Sequence, residues 1–179
     1  TLYFVRRQGA GLANPAAAVA SQAYIQVEGT NKSKFELGDD PERTGVYTMD
    51  FEVVNFSDGE KTYTLDTTVL GQKAEGGQIR GGKVTYLVYD YARKLSAAVT
   101  SSTADGKITV PAHATAQVSV TVTLSDADRA YMDERFPYGA YVEGFVQLMS
   151  EDSVSLSAPF LAFYGDFGEA PLFDTETYE

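Results

Sequence analysis

The chain has 179 residues, of which 12% are aromatic, and a formal charge of −11, so it can bury one sizeable core but lacks the clustered Lys and Arg that nucleic acids and anionic membranes require. It contains no cysteine, which excludes a disulfide framework, a thiolate metal site and a cysteine nucleophile. No stretch of the sequence approaches the roughly 20 apolar residues of a membrane-spanning helix.

The first 21 residues differ in composition from the rest. A short apolar run ends in Arg6 and Arg7, a glycine-containing loop follows over 8–12, and Asn14 and Pro15 begin a short Ala-rich helix over 16–20. We interpret this segment as a terminal appendage or as the tail of a preceding domain. Arg6 and Arg7 are the densest positive pair in an acidic chain, and they are either solvated or dock to an acidic neighbour in the same polypeptide.

Short apolar or alternating segments bounded by turn residues predict strands along most of the remaining chain. The predicted strands are 24–28, 35–37, 46–54, 62–70, 84–91, 97–100, 107–110, 116–124, 140–149 and 154–164. The strands 46–54 and 62–70 flank the turn Ser57-Asp58-Gly59 and are predicted to pair as an antiparallel hairpin. The glycine-rich stretch 71–83 is predicted to be a flexible loop.

One internal helix interrupts the strands. Ser125 is the predicted cap, acidic residues occupy the first turn, and the helix ends near Arg135 before Pro137. The aromatic-rich runs 140–149 and 154–164, separated by a polar break, form the predicted central hairpin. Seven to nine of these ten segments as strands, with one short helix, predict an all-β, immunoglobulin-like antiparallel β-sandwich.

The polar motifs favour structural roles over catalysis. His113, the only histidine, lies in a turn between two strands, and no G-x-S-x-G motif is present. The acidic clusters at 38–42 and 151–152 lack the spacing of a calcium loop and are predicted to be solvated turns. We therefore expect no catalytic residue, no metal and no cofactor.

Two stretches resemble a known family. Residues 6–12 (RRQGAGL) and the helix that follows resemble the end of the catalytic domain of subtilisin-like serine proteases. Residues 141–146 and 156–174 resemble the fibronectin type III-like domain that follows the catalytic domain in large cell-envelope subtilases of the lactocepin and complement-peptidase type. Residues 53–58 and 110–112 also fit that pattern, and 160–174 is the most specific part. The family's GTSMA-type serine motif and its Asp and His motifs are absent from the chain.

The resemblance implies that 1–21 is the tail of a subtilase catalytic domain and that 22–179 is a fibronectin type III-like β-sandwich with an N-terminal helical arm. It implies a non-catalytic accessory domain on the surface of a bacterium. Such a domain stabilises or spaces the catalytic domain of the same polypeptide and helps to position protein substrates. The candidate docking residues are Arg6, Arg7, Phe163, Tyr164, Asp166 and Phe167.

Two alternatives stay open at this point. Without its neighbour, the arm is exposed, folds back on the sandwich, or pairs with a second copy by edge-strand addition, which predicts possible self-association. The chain could also be a stand-alone adhesion or ligand-binding sandwich.

Overall fold

The computed structural model describes residues 2–9, 12–30, 32–79 and 82–170, with the description of 77–79 and 82–90 limited to the backbone. Ten strands account for most of these residues, with three α-helices and a 3-10 turn at Ala104–Gly106. The helices are α1 (Val5–Gln8), α2 (Pro15–Ala20) and α3 (Asp126–Arg135). The strands are β1 (Ala23–Val27), β2 (Phe35–Asp40), β3 (Val46–Asn55), β4 (Lys61–Ile79), β5 (Gly82–Lys94), β6 (Ala97–Ser101), β7 (Lys107–Val110), β8 (Thr115–Leu124), β9 (Ala140–Met149) and β10 (Leu156–Tyr164).

The strands form two facing sheets. One has four strands in the order β1-β3-β8-β6, and the other has the order β2-β10-β9-β4-β5, with β7 paired to the start of β4. The predicted central hairpin is confirmed, because β9 and β10 pair antiparallel from Leu156↔Leu148 to Tyr164↔Ala140. The pairing of β2 with β10 is parallel, which departs from the expected antiparallel sandwich.

Alternating side chains of both sheets fill the space between them. Tyr47, Met49, Phe51 and Val53 of β3 are buried, as the period-two pattern predicts. The same alternation buries one face of the other long strands: Val118, Val120, Val122 and Leu124 of β8, Ala140, Val142, Val146 and Leu148 of β9, and Ala158, Phe160, Ala162 and Tyr164 of β10. The all-β sandwich predicted from the sequence is thereby confirmed.

The predicted hairpin between β3 and β4 is wrong. β3 pairs with β1 and β8, whereas β4 pairs with β9, β5 and β7 in the opposite sheet. The chain passes from one sheet to the other after Asn55, whose buried side chain stabilises the connection. Its Nδ2 donates hydrogen bonds to the carbonyls of Gly59 (2.8 Å) and Val110 (3.0 Å). Because the two strands lie in different sheets, their apolar faces pack toward each other across the core.

The predicted flexible loop over 71–83 is also wrong. β4 continues through this stretch to Ile79 and pairs antiparallel with β5, from Ala74↔Leu87 to Ile79↔Gly82. A register shift between Gln72 and Ala74 separates this ribbon from the body of the sheet. Backbone hydrogen bonds do not depend on side chains, so the glycines weaken the strand without preventing its pairing to the β-branched and aromatic segment opposite.

The buried hydroxyl of Tyr63 allows the cost of an unpaired polar group in the core to be measured. Its side chain is buried, and its hydroxyl has no hydrogen-bond partner among the described residues. Tyr63→Phe is expected to leave the free energy of unfolding unchanged or to raise it by up to about 1 kcal/mol, because it removes an unpaired buried polar group. Urea unfolding of the two proteins measures the difference.

Tyr131→Phe is the matched control, since the Tyr131 hydroxyl accepts a hydrogen bond from the Ala74 N–H at 2.8 Å. Its removal is expected to lower the free energy of unfolding by about 1 kcal/mol. A larger loss for Tyr63→Phe than for Tyr131→Phe would contradict the assignment of Tyr63 as unpaired.

Helix α3 begins as predicted, with Ser125 as its N-cap. Asp128, in the first turn of the helix, links this end to the sheet by hydrogen bonds. The buried Asp128 carboxylate accepts hydrogen bonds from the Ser96 N–H (2.6 Å), Arg93 Nη2 (2.9 Å) and Ser125 Oγ (3.1 Å). Burial alone raises the pKa of Asp128, but these donors outweigh it and hold the pKa below its usual value.

The lowered pKa of Asp128 in the folded state predicts how its contribution to the free energy of unfolding depends on pH. The stabilisation by Asp128 is complete above the pKa of an unfolded aspartate, about 4, and is lost as pH falls through the lower folded-state pKa. Asp128→Asn is therefore expected to destabilise the protein most at neutral pH, and progressively less on acidification below about pH 4. A difference between the two proteins that stays constant from neutral to strongly acidic pH, measured by urea unfolding, would count against this role.

Candidate docking surface

The N-terminal arm (residues 2–9) lies on the outer face of the five-strand path of the second sheet. Phe4 and Val5 are buried there against Leu70, Ala92 and Phe145. The Ala92 N–H of β5 donates to the Leu2 carbonyl at 2.9 Å, so the arm also pairs briefly with the edge of this sheet. Residues 2–9 of the segment 1–21 thus fold back on their own sandwich, whereas no residue of α2 is buried.

An ion pair between Arg6 and a buried carboxylate fixes the arm at α1. The Arg6 backbone N–H donates to Glu143 Oε2 at 2.9 Å, and Arg6 Nε donates to Glu143 Oε1 at 3.1 Å. Glu143 is 0% exposed, although it projects from β9 on the side away from the core. A carboxylate withdrawn from water requires charged and hydrogen-bonded partners. Arg6 supplies both from its side chain and its main chain.

Aromatic rings extend the contact around Arg6. Its guanidinium carbon lies 3.9 Å from the centroid of the Tyr141 ring and 5.1 Å from that of Phe4. A guanidinium at this distance is attracted to the negative face of the ring, and planar stacking favours Arg over Lys. Arg6 is therefore held by a carboxylate and by two aromatic residues.

Tyr141 also belongs to a cluster of three rings where β9 begins and β10 ends. Its ring centroid lies 5.2 Å from that of Phe163, and Phe163 lies 5.3 Å from Phe167, both in edge-to-face geometry. Phe167 is the outermost ring and is 60% exposed. Gly139 allows this packing, because a Cβ at its φ of +92° would lie 2.5 Å from the Phe163 ring.

The six predicted docking residues do not share one surface. Arg6 contacts Glu143 and Tyr141, Arg7 follows it on α1 and is exposed, and Phe163 lies beneath Phe167. Asp166 is exposed in a turn, where its Oδ1 accepts from the Gly168 N–H. The structure separates Tyr164 from the other five, because its side chain faces the core and its hydroxyl lies 3.4 Å from Asp133 Oδ2.

Glu143 is the residue of this surface that the sequence analysis does not identify. It stands in an apolar strand at an outward-facing position, where a charged residue normally signals solvent. Only the docked arm makes it a buried partner of Arg6. The signal available in the sequence was one acidic residue between Tyr141 and Phe145 on a face otherwise rich in aromatics.

The polar motifs occupy turns. His113 lies between β7 and β8 with an exposed side chain, and its Nε2 is 2.8 Å from Asp58 Oδ1. Asp40 supports the turn after β2 by accepting from the Thr44 and Gly45 N–H groups. Within the described part of the chain, no cluster of three or more His, Asp or Glu residues has the arrangement of a metal site. The helices described there are all too short or too polar to cross a membrane.

The fold and the arm define a two-sheet β-sandwich with an N-terminal segment docked on one outer face. The family model described as "Fn3-like domain" matches residues 35–161, and the chain belongs to this family. The family predicted from the resemblance is thereby confirmed.

Two relatives extend the similarity over nearly the whole chain. C5a peptidase of Streptococcus pyogenes is 27% identical over 96% of the chain, and PII-type proteinase of Lacticaseibacillus paracasei is 28% identical over 95%. The chain spans 14% and 8% of the length of these relatives, respectively. Among solved structures, Spo0M of Bacillus subtilis is similar at a TM-score of 0.43 and 12% identity, covering 80% of this chain and 49% of that one.

Proposed function

We propose that the chain is a non-catalytic accessory domain of an exported subtilisin-like serine protease on a bacterial cell surface. The homology to parts of C5a peptidase and PII-type proteinase supports a place beside a protease domain. In this proposal, 1–21 is the end of the catalytic domain and 22–179 is the accessory sandwich. The sandwich stabilises or spaces the catalytic domain and helps to position protein substrates.

The docked arm is the observation that carries the proposal. A flexible linker would leave two neighbouring domains free to reorient, which is the default when few contacts cross the boundary. Here Phe4 and Val5 are buried in the sandwich and Arg6 is paired with the fully buried Glu143. A domain continuous with this arm is therefore held at a defined angle to the sandwich, as positioning a protein substrate requires.

The test uses the full-length parent protein with and without Arg6→Ala. The exposed pair of Arg129 with Asp126 provides the matched control, Arg129→Ala. We expect Arg6→Ala to shorten the half-life of thermal inactivation and to lower kcat/KM for a protein substrate. Cleavage of a short chromogenic peptide, which reaches only the catalytic domain, is expected to keep its kcat/KM at 25 °C. The fragment 1–179 is expected to hydrolyse neither substrate.

Three results would overturn the proposal. The first is a parent gene product without a GTSMA-type motif upstream of Thr1. The second is peptidase activity in the purified fragment 1–179. The third is an Arg6→Ala parent protein that matches the Arg129→Ala control in both thermal inactivation and protein cleavage.

A further inference from the structure

A small cleft lies on the outer face of the second sheet, beside the site that holds Arg6. Its volume is about 310 Å³. Ligand sites in proteins range over about 300–1,000 Å³, so a cleft of this size suits a single side chain better than a large ligand. Residues of β2, β9, β10 and the turn after β10 line it, chiefly Glu36, Asp39, Tyr141, Leu161, Phe163 and Phe167.

Three aromatic rings form one wall of this cleft. The ring centroids of Tyr141, Phe163 and Phe167 lie between 5.2 and 6.2 Å apart, with interplanar angles between 51° and 79°. Rings at these angles are not stacked flat on one another, so they meet the cleft in different orientations. The outermost ring, Phe167, is largely exposed. Such a wall offers both apolar surface and π-electron density, and the latter attracts a cation.

Asp39 places a carboxylate beside these rings. Its Oδ2 accepts a hydrogen bond from the Phe167 N–H at 3.0 Å, which holds the carboxylate next to the exposed ring. A carboxylate has several acceptor positions, so this bond leaves room for a second donor. Glu36, the other carboxylate of the cleft, already pairs with Lys32 and Lys34. Asp39 is therefore the residue that favours a positively charged ligand.

The neighbouring site of Arg6 shows which ligand this kind of surface accepts. The Glu143 carboxylate binds Arg6 there, and the guanidinium lies 3.9 Å from the centroid of the Tyr141 ring. The cleft offers the same two elements, a carboxylate and aromatic rings, and Tyr141 is common to both sites. A planar guanidinium forms hydrogen bonds with a carboxylate and stacks on aromatic rings, whereas the ammonium of lysine acts as a compact, strongly hydrated charge.

We propose that this cleft binds an arginine side chain of a separate, basic protein. The guanidinium donates to the Asp39 carboxylate and packs on the Phe167 ring, and the aliphatic part of the side chain covers Leu161. The formal charge of −11 on the chain attracts a basic partner. This site belongs to the sandwich itself and does not require a neighbouring protease domain, so it and the proposed function can fail independently of each other.

The test is a titration of the ¹⁵N-labelled 179-residue chain with the peptide acetyl-Gly-Arg-Gly-amide, followed by the backbone amide shifts. We expect saturable shifts at 38–39, 161–163 and 167, with a Kd in the millimolar range. The same peptide with citrulline in place of arginine is uncharged and of nearly the same shape, and it is expected to bind at least about fivefold more weakly. Equal affinity for the two peptides would overturn the proposal.

Two variants with matched controls locate the binding site. Asp39→Asn removes the charge but keeps an acceptor for the Phe167 N–H, and Phe167→Ala removes the exposed ring. Each is expected to raise the Kd of the arginine peptide at least about threefold. Asp152→Asn, in the exposed turn between β9 and β10, and Phe56→Ala, an exposed ring after β3, are expected to leave it unchanged. An unchanged Kd in either cleft variant would reject this site.

Two further measurements identify the occupant. Dilution of the chain without peptide is expected to leave the cleft signals in place, and a shift that depends on protein concentration would assign the cleft to a second copy instead. Tetramethylammonium packs on aromatic rings but donates no hydrogen bond to Asp39, so it is expected to bind more weakly than the arginine peptide. Tighter binding of tetramethylammonium would overturn the proposal in favour of a quaternary ammonium ligand.

Discussion

Arg6→Ala is expected to lower the free energy of unfolding of the 179-residue chain by about 3 kcal/mol, because it leaves the buried Glu143 carboxylate without its charged partner. We take the lower part of the range for broken buried pairs, since the Arg6 side chain is 32% exposed and its backbone N–H still reaches Glu143. The change also removes the stacking on Tyr141. Urea unfolding monitored by circular dichroism measures the loss.

Two comparisons separate the buried pair from a general effect of losing an arginine. Arg129→Ala breaks an exposed pair with Asp126 and is expected to change the free energy of unfolding by less than about 1 kcal/mol. Arg6→Ala combined with Glu143→Leu is expected to recover much of the loss, because no buried charge is left unpaired. Equal losses from Arg6→Ala and Arg129→Ala would show that the pair does not hold the arm.

Gly144→Ala is expected to destabilise the sandwich by about 3 kcal/mol or more, or to prevent folding, because there is no room for a methyl group at the centre of β9. A Cβ at this position would lie 1.9 Å from the Thr68 carbonyl oxygen and 2.7 Å from the Phe160 ring. The oxygen belongs to the backbone of β4, which pairs with β9 at this point. The clash is therefore relieved only by separating the two strands.

Gly59→Ala is the matched control for the same change of residue. Nothing lies within 4 Å of a Cβ at Gly59, and its backbone is outside the left-handed region. The substitution is expected to change the free energy of unfolding by less than about 0.5 kcal/mol. Thermal and urea unfolding compare the two variants, and a Gly144→Ala protein as stable as Gly59→Ala would contradict the close approach of β4 and β9.

The strands could be located from the sequence because alternation reports burial directly. β7 and β9 begin and end where the residue pattern places them, and β3 and β8 differ by one residue at one end. Periodicity states which side of a strand is buried, but it does not state which strand lies beside it. For this reason the pattern predicts one hairpin of β3 and β4, although Asn55 directs the chain from one sheet to the other.

The same holds for the candidate docking surface, where the sequence indicates the residues but not how they are arranged. The aromatic residues near 141 and 163–167 and the arginines of the arm were identifiable from composition and resemblance. Their arrangement was not, because Glu143 lies 137 residues from Arg6 in the sequence and becomes its partner only when the arm packs on β9. Tyr164, adjacent to Phe163 in the sequence, faces the core because neighbouring residues of a strand point to opposite sides.

The sequence by itself determined the strand periods, the caps of α2 and α3, the absence of thiol chemistry and the membership of a β-sandwich family. These properties depend on residues within one element or on composition. The tertiary structure alone decided the change of sheet after β3, the ribbon of β4 and β5, and the burial of Glu143 beneath Arg6. Each of these depends on contacts between segments distant in the chain, whose free energy comes from surfaces that exist only after the elements have packed.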